Sequence, residues 1–121
     1  MEKIVYSFEG PEVERVDIVT SFDGSTLQLL VEEKKLPRRK IKVEFSVVLD
    51  CQFISISMLD IIPELCFEKI TKQSAKEFVE SKSAEFSAIF EGNFSRYRMF
   101  LDDIGLFDIV SVGCTVGSEK L

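Results

Sequence analysis

The sequence predicts an α+β domain: a curved antiparallel β-sheet of six to seven strands with one main helix, at about residues 74–90, packed on one face. Three observations carry this expectation. Apolar and polar residues alternate through most of the chain, as they do in strands buried on one side only. An Asp23-Gly24 pair separates two alternating runs, and that dipeptide suits the positive φ angles of a tight hairpin turn. One late segment, opened by Ser74-Ala75-Lys76-Glu77, changes to the 3.6-residue period of a helix. No repeat, linker or low-complexity stretch interrupts the 121 residues, so 1–121 reads as a single domain.

The elements follow in order. Ile4, Tyr6 and Phe8 form the apolar side of a first strand. Val16, Ile18, Thr20 and Phe22 form a second, which the Asp23-Gly24 turn joins to a third through Leu27, Leu29 and Val31. Pro37 breaks the pattern, and then Ile41, Val43, Phe45, Val47 and Leu49 alternate with Lys40, Lys42, Glu44 and Ser46. After Asp50-Cys51-Gln52 the apolar parity flips to Ile54, Ile56 and Met58, which requires a turn or bulge near position 51. A turn is expected there, because one strand from 39 to 58 would exceed the usual strand length. A short strand at about Leu65–Ile70 follows the Asp60–Pro63 turn.

The helix is expected next. Ser74 accepts from the amide of Glu77, whose carboxylate reaches back, and Ala75, Phe78, Val79, Phe86, Ile89 and Phe90 share one face. Gly92-Asn93 stops it. Tyr97, Met99 and Leu101 then alternate, Asp102-Asp103-Ile104-Gly105 turns, and Phe107 to Val116 closes the sheet.

The chain has no histidine, so Ser-His and Cys-His pairs and the common zinc hydrolase sites cannot be built within it. Neither glycine-rich nucleotide loops nor a G-x-S-x-G elbow occurs. No cofactor or metal is expected, and the chain does not read as an enzyme. Cys51, Cys66 and Cys114 match no zinc or redox spacing, and they read as reduced thiols of a cytoplasmic protein. No apolar run approaches the roughly 20 residues of a membrane span.

Net charge is −6. Residues 1–23 hold six acids against two bases, and 60–91 hold seven against four, whereas 34–42 concentrates six of the fifteen bases. An acidic body disfavours nucleic acid and suits a basic protein partner. The basic run reads either as a phosphate grip or as a solvated hairpin tip guarding a strand edge. Asp102, Asp103 and Asp108 flank a turn, where they read either as turn formers or as ligands for a divalent cation. Glu77, Glu80 and Glu85 project from the outer face of the expected helix. Together with the three aspartates they form the expected partner-binding surface.

The segment Phe67–Cys114 resembles a pattern in small stand-alone bacterial α+β proteins that look like immunity proteins of contact-dependent or polymorphic toxin systems. The shared elements are a short strand, the aromatic-rich helix from Phe78-Val79-Glu80 to Phe90, and a hairpin formed by Tyr97–Asp103 and Phe107–Val110. The resemblance implies a non-catalytic cytoplasmic inhibitor that caps the active site of a basic, nuclease-type toxin. The alternatives are a small acidic metal- or ligand-dependent enzyme using Asp102, Asp103 and Asp108, and a structural domain forming a weak homodimer through a strand edge.

Overall fold

The computed structural model describes residues 2–8, 13–20, 26–33, 39–61, 65–75, 94–102 and 104–120. Among these residues there are seven strands: β1 (Lys3–Ser7), β2 (Val13–Thr20), β3 (Thr26–Glu33), β4 (Arg39–Ser55), β5 (Lys69–Ser74), β6 (Ser95–Leu101) and β7 (Gly105–Lys120). They form one sheet in the order β1-β5-β6-β7-β4-β3-β2, every neighbour antiparallel.

The α+β expectation is corrected to an all-β architecture for the described residues. Among the described residues the only helical piece is a 3-10 turn at Ile56–Met58. Ser74, expected to cap a helix, is instead the last residue of β5 and pairs with Ser95. Ala75 beyond it packs against Phe94 and Val110. The ladder that holds Ser74 buries Ile70 and Thr71 completely. The remainder of the expected helix, 76–90, lies outside the described residues, as does the Asp23-Gly24 turn. The strand expected at Leu65–Ile70 begins later. Glu68 has φ +54 and Phe67 makes only an isolated bridge to Phe100.

The turn expected near position 51 is also absent. β4 runs unbroken for 17 residues, and a register shift between Val48 and Asp50 absorbs the change of parity. A long strand survives here because β7 is nearly as long and pairs with it on both sides of the bulge. β3 accompanies the first half of β4, up to Thr26↔Ser46, and β6 accompanies the first half of β7, up to Ser95↔Ser111. The β4–β7 ribbon therefore joins two half-sheets.

One core unites those halves. Leu27, Leu29, Val31, Ile41, Val43 and Phe45 from one side meet Ile70, Tyr97, Met99, Leu101, Phe107 and Ile109 from the other. Along β7, Ile109 and Cys114 both pack into this core although an odd separation places side chains on opposite faces of a regular strand. The alternation is reset between them, opposite the corner where Val47 adopts φ +51. That corner lets the sheet curl, and the rings of Phe45 and Tyr97 meet edge-on with centroids 5.6 Å apart.

Candidate partner-binding surface

Register places the polar residues of the outer face. Gln52, Asp108, Arg98 and Thr71 stand in one cross-strand row, and Asp50, Val110, Arg96 and Gln73 stand in the next. Apolar groups border this band on both sides. Cys66, Phe100 and Leu106 cluster with Ile54 and Phe67 at one border, and Ala75, Phe94 and Val110 cluster with Leu49 at the other.

Arg96 organises the band. Its Nε donates to Asp108 Oδ1 at 2.8 Å, and its Nη2 donates to Oδ2 of the same carboxylate. This two-pronged bond holds both side chains in one geometry and raises the pKa of the guanidinium, so its charge is permanent. At the far end of the row, Glu2 accepts a hydrogen bond from the Thr71 hydroxyl and lies 3.7 Å from Arg98 Nη1. Asp50, Gln52, Arg96, Asp108 and Val110 line an open cleft of about 230 Å³. Its volume suits the end of one side chain, and Arg96 shares its lining with two carboxylates.

The structure does not assemble the six expected partner-binding residues into one patch. Glu77, Glu80, Glu85 and Asp103 lie outside the described residues. Asp102 sits in the β6–β7 turn, and its backbone N–H donates to Glu68 Oε1 at 3.3 Å. Asp108, expected to face solvent, has a side chain only 15% exposed and is tied to Arg96 three residues up β7 from that turn. A cation site built on the aspartates would have to displace Arg96 from Asp108. Among the described residues, no three acidic or thiol groups are placed to hold a metal ion.

Asp50, Gln52, Arg96 and Glu2 were missed. Asp50 and Gln52 read as turn residues, and nothing local in the sequence pairs Arg96 with Asp108. Of the basic run, Lys34, Lys35 and Arg38 lie outside the described residues. Lys42 is 3.6 Å from Glu44, which also accepts from Gln28 at 2.8 Å, so this part of the run is a cross-linked strand face.

The thiols are poor nucleophiles. Cys66 is fully buried, Cys114 is half-buried beside the core and Cys51 is exposed. Burial raises the pKa of all three, and Asp50 and Asp108 raise that of Cys51 further. Burial pushes Cys114 from an ordinary 9.0 up to about 11. The folded state therefore holds this proton more tightly than the unfolded chain, and the associated stability is intact below about pH 9 and lost as pH rises towards 11. Denaturation across that window is expected to show a steeper decline for the native protein than for Cys114→Ala. Parallel declines would show that the site does not raise the thiol pKa.

Comparison with known proteins supplies a fold and no activity. No family model matches the chain, and no curated protein does. The chain is similar to the crystal structure of an uncharacterized protein from Neisseria gonorrhoeae, with a TM-score of 0.54 and 16% identity over 100% of this chain and 99% of that one. At that identity the likeness concerns the fold alone, from end to end. No helix among the described residues is long and apolar enough to cross a membrane.

Proposed function

We propose that this protein is a non-catalytic, cytoplasmic protein-binding module, an immunity protein that neutralises a basic, nuclease-type toxin by covering its active site. The observation that carries the reading is the surface beside the cleft. Asp50 and the Arg96–Asp108 pair line it together, and Met58 (75% exposed) and Ile61 (81%) are uncovered on the turn that follows β4. Exposed apolar anchors beside a charged rim are the anatomy of a protein interface. A net charge of −6 speeds encounter with a basic partner and repels nucleic acid. The absence of imidazole and the raised thiol pKa values accord with work done by surface complementarity. The toxin assignment rests on the resemblance of residues 67–114, of which β5 and the β6–β7 hairpin are described.

The test is co-expression with the product of the adjacent upstream gene. Cells expressing that product alone are expected to die, and cells expressing both to survive, with the two proteins co-purifying in equal amounts. Asp50→Lys is expected to weaken the complex at least tenfold, or about 1.4 kcal/mol. Full survival of cells carrying the upstream product alone would remove the toxin reading.

A further inference from the structure

We infer that Val48–Ser55 of β4 is an open sheet edge that takes up an extended, cationic strand of the partner protein by main-chain pairing. This rests on the protein-binding reading above and specifies its mode.

Three observations converge on this edge. Among the described residues, Val48–Ser55 pairs with β7 alone, since β3 leaves β4 at Thr26↔Ser46. Cys51, Gln52 and Phe53 are exposed in succession. Successive side chains point to opposite faces, so three exposed in a row leave the flank of the strand itself uncovered. Natural sheets guard such edges with lysine, proline or inward charge, because a free row of N–H and C=O groups pairs with other chains. From Val43 to Glu68 this chain has no lysine or arginine and has five acids: Glu44, Asp50, Asp60, Glu64 and Glu68. Within Val48–Ser55 itself the one charged side chain is Asp50.

That charge selects the occupant. A second copy pairing here would bring carboxylate-bearing strands together, and like charges across a ladder destabilise it. A strand alternating cationic and apolar residues meets no such penalty. Its cations would lie on the outer face with Asp50 and Gln52, next to the cleft that Asp108 shares, and its apolar residues would lie on the other face with Cys51 and Phe53. The Phe53 ring already packs on Phe107 with centroids 4.7 Å apart, which gives an incoming side chain a preformed surface.

The probe is the peptide acetyl-(Lys-Val)4-amide, titrated into the isotope-labelled full chain, with amide hydrogen exchange read residue by residue. Saturation is expected to slow exchange at least tenfold for edge amides within 50–55. The fully N-methylated peptide, which keeps the charges and lacks every N–H, and the Glu-Val counterpart are expected to have no such effect. Asp50→Lys is expected to weaken Lys-Val binding at least tenfold, and Gln52→Lys serves in its place if that variant does not fold. Equal binding of the N-methylated peptide would reduce the contact to charge alone and overturn the inference. Dimers in light scattering that themselves slow exchange at 50–55 without peptide would assign the edge to a second copy and overturn the inference. Toxin neutralisation without peptide protection would sink the edge while sparing the function, and peptide protection without neutralisation would do the reverse.

Discussion

Replacing Gly105 with alanine is expected to remove at least about 3 kcal/mol of folding free energy, enough to leave much of a marginally stable domain unfolded. Gly105 opens β7 with φ +146, a region L residues rarely adopt. A Cβ there would fall 2.2 Å from Ile54 O and 3.1 Å from both Ile54 C and Ile56 N. These are backbone atoms and cannot rotate aside. The end of β4 is further pinned to the turn, because Ile56 N donates to Ile104 O at 3.1 Å. The turn is closed in turn by Ile104 N donating to Leu101 O, also at 3.1 Å. The methyl group must therefore break that clasp or bend the ribbon. Urea denaturation measures the loss, with Gly117→Ala as control. Nothing lies within 4 Å of a Cβ at Gly117, so its change is expected to stay within about 0.5 kcal/mol. A Gly105→Ala protein as stable as the control would mean the turn is not built this way.

The second large effect is at the closure of the sheet. Phe45→Ala is expected to cost about 3–5 kcal/mol, because the residue is 1% exposed and its ring fills the space between the half-sheets. Beyond lost burial, its edge-on contact with Tyr97 predicts a coupling of about 0.5–1.5 kcal/mol in a double-mutant cycle. Phe45→Leu allows the cycle to be measured if the alanine double variant does not fold. Additive effects at 45 and 97 would mean the two rings do not meet, and the curl of the sheet would have to be described anew.

Both predictions concern contacts between residues far apart in the chain. Such contacts are what a reading of the sequence lacks. Alternation identified the apolar faces of β3, the first half of β4 and β6, because burial on one side of a strand is written residue by residue. The parity flip after Leu49 was also visible, but its meaning was not. A turn and a bulge leave the same trace, and only the partner strand β7, continuous across Val48–Asp50, makes it a bulge. Ser74 likewise has a strand partner that the local pattern did not name: it pairs with Ser95 across 20 intervening residues.

The candidate surface divides in the same way. Asp108 was singled out for its neighbours in sequence, Asp102 and Asp103. Its actual partner, Arg96, sits across the hairpin on the same outer face. Asp50 and Gln52 were passed over as turn residues, although a run of 26 positions without a cation surrounds them. That charge pattern was open to inspection, yet it acquires a consequence only once the strand carrying it lies at a free edge.

From its residues alone the chain determines alternating antiparallel strands and an acidic balance, because side-chain period and net charge are properties of each segment by itself. Tertiary structure alone decided that β4 and β7 form one long bent ribbon, that Arg96 clasps Asp108, and that Val48–Ser55 has a single neighbour among the described residues. Strand order assigns partners among distant segments, and no segment encodes which of its two flanks will remain unpaired.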